Sequence, residues 1–400
     1  MRLSRVVRVV APGLVILPED MHQFYDFFAG GGMAKAGLGD RWECLYANDI
    51  DESKARCYAK NWGDTHLQVC DVAAVEPSDL PGQADLAWAS FPCQDLSLAG
   101  TGEGLQGARS GTFWPFWRLM DALRTEGRQP RLVVLENVCG AITSHGGKDL
   151  AAIIKAMGEA GYRAGALVID AVHFVPQSRK RLFIVGVQET VKIPTDTAMI
   201  SPTDMWHPPA LVRAYEKLPA SSREEWIWWN MAPPPRRETV LADVIQAHPN
   251  GVNWHTEHET ARLLRMMTTP NLRKVELAQA LNRPAVGTIY RRTRPDGRGG
   301  RRQRAEVRFD GVAGCLRTPR GGSSRQTIIV VNGPRVRTRL LSSREAARLM
   351  GLSDEYWLPD NYNQAYYVSG DGLAVPVVRH LAEQILNPLV ESEEPAEAAA

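Results

Sequence analysis

Asp26-Phe27-Phe28-Ala29-Gly30-Gly31-Gly32 is the stretch that decides the fold. Gln23–Phe27 before it is apolar-rich and reads as a buried strand; the small residues of Met33–Gly37 after it read as a helix. Strand, glycine turn and helix together let the backbone approach a ligand at the helix N-terminus. Working outward, Glu43–Asn48 reads as a second strand that ends in Asp49-Ile50-Asp51. An acid roughly twenty residues beyond a glycine turn suits a pair of ribose hydroxyls. His66–Val69 reads as a third strand and ends in Cys70-Asp71-Val72. One acid at a strand end is usually a turn cap. Acids in register on successive strand ends predict a nucleoside site, with Asp49 on the ribose and Asp71 on the adenine amino group. A nicotinamide dinucleotide is the competing guest. It asks for G-x-G-x-x-G, and Lys35 stands at the third glycine's place.

A second stretch carries reactive chemistry. Asp85–Ser90 reads as a buried strand, and Pro92 in Phe91-Pro92-Cys93-Gln94 ends it, because proline cannot donate to a sheet ladder. Cys93 therefore sits past a strand's carboxyl end, the rim where open α/β sheets bind ligands. A lone cysteine is more often a buried structural residue. The polar loop that follows, Asp95 to Gly100, argues for a reactive thiol. Arg131–Leu135 reads as the next strand and delivers Glu136-Asn137-Val138, placing a candidate acid beside the Cys93 rim. Between them lie a glycine-rich loop, Gly104–Gly111, and an amphipathic helix, Thr112–Arg124, with Phe113, Phe116, Trp117 and Met120 on one face. Gly147–Ala160 reads as a further helix. Tyr162–Ala171 and Leu182–Val187 read as a strand pair. If the chain is extended between them, Gln177, Arg179 and Arg181 share one face. Three donors next to a thiol suit a carbonyl-rich or anionic substrate; a solvated basic edge is the plainer alternative.

The chain has 400 residues, 44% hydrophobic and 23% charged, with a net charge of only +2. Those totals describe a globular protein of two domains, or three, and do not by themselves announce a nucleic-acid binder. The six cysteines contain no Cys-x-x-Cys pair, so neither a zinc ribbon nor a redox motif is expected. Scattered thiols suit a reducing compartment, and neither a signal peptide nor a membrane span is expected. Positive charge is local instead. Tyr290–Arg308 sets Arg291, Arg292, Arg294, Arg298, Arg301, Arg302, Arg304 and Arg308 among glycines, against only Asp296 and Glu306. Such a stretch reads as a surface for phosphates and guanines. Ser201–Glu259 is rich in proline and tryptophan and reads as a small irregular domain anchored by its indoles. Ser342–Gly351 reads as a helix capped by Ser342 or Ser343, Val377–Leu386 as the last helix, and the tail from Glu391 as disordered.

In that order and spacing, Asp26–Gly32, Asn48–Asp51, Phe91–Gln94 with Ser97, Glu136–Val138, Gln177–Arg181, Arg339–Gly351 and Gly370–Val375 make the chain resemble the cytosine-C5 DNA methyltransferases. The resemblance implies an α/β fold, a Rossmann-like S-adenosylmethionine methyltransferase domain with a smaller, irregular target-recognition domain. It implies a division into 1–22, 23–190, 191–330, a return segment 331–390 and a tail 391–400. Cys93 would be the nucleophile, Glu136 would hold the N3 and amino edge of cytosine, and Arg181, helped by Arg179, would contact O2. Phe28, Ala29, Gly30, Gly31, Gly32, Asp49, Ile50, Asp71, Val72, Pro92, Asp371 and Gly372 would bind S-adenosyl-L-methionine. Gln94, Ser97, Arg109, Gln177, Arg325 and the Tyr290–Arg308 arginines would contact double-stranded DNA, with Gly104–Gly111 closing over a flipped base. No metal is implied. A cytoplasmic monomer of bacterial type is expected, associated with the nucleoid when on DNA, and a cognate restriction endonuclease acting on the same site is an open partner. An RNA-modifying branch of the family is the alternative. Its characteristic Cys-Phe-Thr is absent here.

Overall fold

The structure, a computed structural model, describes residues 8–11, 14–16, 21–92, 110–295, 300–318 and 325–392. Cys93, Gln94, Ser97, Arg109 and Arg298 lie outside the described residues, as do most of Gly104–Gly111 and of the tail. Two compact units divide the chain. The first takes 1–169, 180–233 and 377–400; the second takes Asp170–Arg179 and 234–376.

A seven-stranded sheet forms the first unit. Its strands are β1 (His22–Phe27), β2 (Trp42–Asp49), β3 (Leu67–Val69), β4 (Leu86–Ala89), β5 (Leu132–Val138), β6 (Tyr162–Asp170) and β7 (Lys180–Gln188). Their order across the sheet is β3-β2-β1-β4-β5-β7-β6. β1 to β5 run parallel, and β7 runs antiparallel to β5. The order reverses between β1 and β4, which makes the carboxyl ends of those two strands the ligand crevice of an open α/β sheet.

The central strands are apolar on both faces because helices cover both. β4, Leu86-Ala87-Trp88-Ala89, is buried at every position. Helix α1 (Met33–Leu38) follows β1, α2 (Glu52–Trp62) follows β2, α3 (Phe113–Thr125) precedes β5, and α4 (Lys148–Glu159) follows it. α3 buries Phe113, Phe116, Trp117 and Met120 together with Leu119 and Leu123. α4 buries Leu150, Ile153, Ile154 and Met157. Each such side chain contributes about 1.5–3 kcal/mol on burial.

The tryptophan-rich stretch is divided between the two units, with Trp254 in the second. Lys180–Pro233 belongs to the first unit, and its indoles are what attach it. Trp229 donates from Nε1 to the Val185 carbonyl of β7 (3.0 Å), and Ile227 N–H donates to the Ala164 carbonyl of β6 (3.0 Å). Gly165 makes that approach possible, since a Cβ there would lie 1.8 Å from the Ile227 oxygen. The chain returns to this unit only at Val377, where Trp42 Nε1 donates to Asn387 Oδ1 (2.9 Å).

Antiparallel strands build the second unit in the order β9-β8-β10-β11, from β8 (Ala285–Pro295), β9 (Arg301–Arg308), β10 (Thr327–Asn332) and β11 (Arg335–Leu340). Helix α5 (Thr269–Gln279) lays Val275 and Ala278 against Ile289, Ala305, Val307, Ile329 and Val331 of the sheet. Helix α6 (Ser343–Leu349) starts in a capping box, with Ser342 accepting from Glu345 N–H and Glu345 accepting from Ser342 N–H. Helix α7 (Tyr362–Asp371) ends the described part of this unit's regular structure ahead of Gly372.

One buried acid gives the first unit a pH dependence. Asp26 of β1 is 1% exposed, and burial pushes its carboxyl up to about 8, against a smaller opposing pull from Lys35. A carboxyl raised in the folded state binds its proton more tightly than in the unfolded chain. Its contribution to stability is complete below about pH 4 and is lost as pH rises toward 8. Asp26→Asn keeps the shape without the titration. The melting temperature of Asp26→Asn is expected to gain on that of the wild type progressively from pH 4 to 8. A gap that stays constant across this range contradicts the assignment.

Candidate active site

Each expected cofactor residue of the first unit sits at the carboxyl end of β1, β2, β3 or β4. After β1 the chain turns through Phe28 (φ 58°) and Gly30 (φ 57°), two left-handed residues that a glycine tolerates and a phenylalanine rarely adopts. Ala29 N–H donates to the Asn48 carbonyl (2.8 Å) and Gly30 N–H to Asp49 Oδ2 (2.8 Å). Asp49 Oδ1 also accepts from Asp51 N–H (2.8 Å), so this carboxylate fastens the glycine turn to the end of β2. Burial raises the Asp49 carboxyl above the usual range. Gly32 has φ 79°, and a Cβ there would meet the Trp62 ring at 2.3 Å; Trp62 Nε1 in turn donates to the Gly31 carbonyl (3.1 Å). Asp71 caps the short turn at Val72, its Oδ1 accepting from Ala73 N–H (2.9 Å). Asn48 had no assigned role in the sequence, yet its Nδ2 donates to the Cys70 carbonyl (2.8 Å) and ties the ends of β2 and β3 together.

These residues fit S-adenosylmethionine. Nothing stands within 4 Å of a Cβ built on Gly30, so the turn is open above its backbone. Ile50, at 67% exposed, and Val69, at 48%, leave apolar surface uncovered at the ends of β2 and β3. Below lies Asp26 Oδ2, buried without a hydrogen-bond partner. An open turn, an apolar shelf and acids at two strand ends suit an adenosine that carries positive charge and no phosphate.

The rim where the sequence places the candidate acid is built by β4, β5 and β7. Phe91 is buried and packs against the Phe113 ring, 5.7 Å between centroids. Asn137 of β5 donates from Nδ2 to the Phe91 carbonyl (3.3 Å), which fixes the backbone two residues ahead of Cys93. Sequence reading quoted Asn137 without giving it a task; its place beside Glu136 was the signal. Glu136 is 8% exposed. Antiparallel register sets Glu136 opposite Phe183 and Val138 opposite Arg181, so Glu136 and Arg181 lie diagonally on one face. Arg181 Nε stands 3.0 Å from Glu136 Oε1.

Gln177 and Arg179 belong to the second unit, and the ordered strand begins only at Lys180, so strand alternation does not extend to 177 and 179. Gln177 is fully buried; its Nε2 donates to the Leu349 carbonyl (2.8 Å) and Met350 Sδ (3.2 Å), and its Oε1 accepts from Leu316 N–H (3.0 Å). An amide engaged in this way helps to frame the second unit. Arg179 is 2% exposed and donates to the carbonyls of Leu316 (3.1 Å), Gly370 (3.1 Å) and Gly372 (2.7 Å). These bonds hold the backbone on either side of Asp371, where α7 ends.

A polar cavity of about 830 Å³ opens in the second unit, bordered by Lys274, Tyr290, Arg291, Arg292, Arg294 and Arg308 among others. Of the expected DNA residues described, Arg291, Arg292, Arg294 and Arg301 to Arg302 are exposed and Arg304 is half-buried. Arg325 is held inside the unit, bonded to Asn363 Oδ1 and lying over the Tyr362 ring at 5.2 Å.

Comparison with known proteins agrees with this geometry. The family model for C-5 cytosine-specific DNA methylase matches residues 22–387. The Type II methyltransferase M.NlaX of Neisseria lactamica is 25% identical over 370 residues, covering 91% of this chain and 96% of that protein. M.HhaI of Haemophilus parahaemolyticus, also a Type II methyltransferase, is 25% identical over 369 residues, covering 91% and 94%. Among solved structures, the S. pombe Dnmt2 methyltransferase superposes with a TM-score of 0.55 at 16% identity, covering 92% of this chain and 98% of that one, a likeness of fold. No helix of the described residues is long and apolar enough to cross a membrane. With a 3-2-1-4-5-7-6 sheet, an open glycine turn at its switch point and a family match over nearly its whole length, the chain belongs to the C-5 cytosine-specific DNA methylases, enzymes that use S-adenosylmethionine to methylate DNA.

Proposed function

We propose that the chain modifies a cytosine flipped out of double-stranded DNA, with Cys93 as nucleophile, Glu136 on the N3 and amino edge of the base, and Arg181 on O2. The observation that carries this reading is the Glu136–Arg181 pair at 3.0 Å, with Glu136 on the strand next to the one that leads to Pro92 and Arg181 on the strand after that. A base inside a duplex is out of reach of such a pocket, so it must leave the stack.

Cytosine C5 is a poor nucleophile. The Cys93 thiolate places its electron pair in a new bond to C6, the C5=C6 electrons move into the ring, and N3 takes up a proton shared with Glu136. The second Glu136 oxygen accepts from the exocyclic amino group, and Arg181 keeps the carboxyl in place while donating to O2. C5 has then become enamine-like. Bound S-adenosylmethionine supplies an electrophilic methyl group there. Phe28 to Gly32, Asp49, Ile50, Asp71, Val72 and Pro92 are the residues proposed to hold it; Asp371 and Gly372 are candidates on the second unit, where Arg179 fixes their backbone. Once C5 is methylated, solvent water takes the C5 proton, the C5–H electrons form C5=C6 as the C6–S bond breaks to return the thiolate to Cys93, and N3 gives its shared proton back to Glu136.

Removing the proton-sharing group tests the assignment. Glu136→Gln is expected to slow methylation on the order of 10²–10⁴-fold while DNA and cofactor affinities stay close to wild type. An unchanged single-turnover rate takes Glu136 out of the chemistry. The Type II names of M.NlaX and M.HhaI support a companion restriction endonuclease acting on the same site, and we place the chain in the cytoplasm as a monomer.

A further inference from the structure

The most basic segment of the chain begins where its sheet ends. β8 pairs with β10 only from Ala285 to Ile289; from Tyr290 to Pro295 it pairs with β9 alone. The result is a two-stranded ribbon projecting beyond the four-stranded sheet, exposed from Arg291 to Pro295 and from Gly300 to Gln303. Its base is secured on the β9 side, where Ala305 N–H donates to the Met266 carbonyl (3.1 Å) and Val307 N–H to Asn271 Oδ1 (3.0 Å). An isolated two-stranded ribbon is marginal in water.

Register makes this one costly as well. Arg292 faces Arg304 and Arg294 faces Arg302, so four guanidinia share one side of the ribbon in directly opposed pairs. Like charges directly opposite destabilise a sheet. One carboxylate offsets them: Glu306, opposite Tyr290 on the same side, is the only acid in the described ribbon. Arg294 places both Nε (2.8 Å) and Nη2 (2.7 Å) on Glu306 Oε1, while Arg292 Nε stands 3.6 Å from Oε2. A hydrogen bond from Nε and an ion-pair contact from Nη2 to the same oxygen orient the Arg294 guanidinium with its Nε–Nη2 edge toward the carboxylate.

Resting on the DNA-methylating reading above, we propose that this ribbon enters the major groove of the target duplex, that Arg294 reads a guanine there, and that Glu306 is its positioning residue. The major groove admits a two-stranded ribbon, and guanine alone presents the O6 and N7 acceptor pair that a guanidinium edge matches. A long side chain already held in one plane loses little further freedom on binding, which suits a base reader. Arg301 lies on the other side of the ribbon, opposite Pro295, and is assigned to phosphate.

The test uses the full chain. Bisulfite sequencing of duplex DNA methylated by the wild type defines the preferred site, and kcat/KM is then measured on duplexes with each flanking base pair varied. Arg294→Ala is expected to lower discrimination at one G·C pair about tenfold or more, with the other positions read as before. Glu306→Gln should relax the same position by a smaller factor, mainly through KM, an effect that a merely structural carboxylate would not confine to one base pair. Arg301→Ala should weaken all duplexes alike and lower the salt slope by about one. If Arg294→Ala and Glu306→Gln leave the preference at every position intact, the ribbon assignment is overturned while the methyltransferase reading stands. A wild-type chain that methylates no duplex DNA overturns both.

Discussion

A duplex carrying 5-fluorocytosine at the target position is expected to become covalently joined to the chain through Cys93, in a complex that survives denaturant and requires S-adenosylmethionine. Fluorine cannot leave C5 as a cation, so once the methyl group has been added there is no route back to the aromatic ring and the C6–sulfur bond persists. Cys93→Ser should abolish both the trapped complex and methylation, because a serine hydroxyl is not ionised at neutral pH as a cysteine thiol partly is. Cofactor binding should survive, since the Gly30 turn and the Asp49 contacts that shape it lie on other strand ends. Much of the DNA affinity should survive as well, because the exposed arginines are carried by β8 and β9. A peptide map that finds the adduct on any other cysteine, or full methylation by Cys93→Ser, overturns the assignment.

The second large effect concerns stability. Glu345 and Arg339 are both fully buried, paired at 2.6 Å and 2.7 Å. Glu345 also accepts from Ser342 N–H (2.8 Å) and Gln246 N–H (2.7 Å), while Arg339 donates to the carbonyls of Leu340 (3.0 Å) and Gln246 (3.1 Å) and lies 5.0 Å from the Trp254 ring centroid. Glu345→Ala strands a buried guanidinium and two backbone donors together. We expect a loss of about 3–5 kcal/mol, read from the urea midpoint and from hydrogen exchange at the start of α6. A loss below about 1 kcal/mol would mean that water or a rearranged neighbour takes over the pair.

The parts of the site that were legible in the sequence are those where a strand is buried on both faces. Leu86 to Ala89 and Leu132 to Leu135 announce themselves as apolar runs, and the first polar residue after such a run marks the rim of the sheet. Glu136 is legible in this way, whereas Asp49 is legible from its spacing beyond the glycine turn and Asp71 from its place at a third successive strand end, although β3 is not buried. Strand alternation does not reach Gln177 and Arg179, because the segment ahead of Lys180 is not a strand. Asp170 Oδ1 accepts from Arg179 N–H (2.8 Å) and Val172 N–H (3.1 Å), and the chain there folds back on itself before β7 begins. Nothing in the local composition distinguishes those two backgrounds. The tryptophan stretch is legible only in part: indole-rich sequence states that anchors exist, and the Trp229 bond to Val185 states what one of them anchors to. Glu306 was seen as one of two acids opposing the arginines, but its task depends on a register that pairs it with Tyr290 and points it at Arg294. Ser342 and Glu345 were legible as a helix start, whereas the buried Arg339 that completes the knot was not.

Nucleoside analysis after incubation of the purified chain with duplex DNA and S-adenosylmethionine tests the central claim most directly. The account predicts 5-methylcytosine, confined by bisulfite sequencing to one recurring duplex site and lost with Cys93→Ser. A methyl group found on cytosine N4 or on adenine, or found only when RNA replaces the duplex, would contradict it.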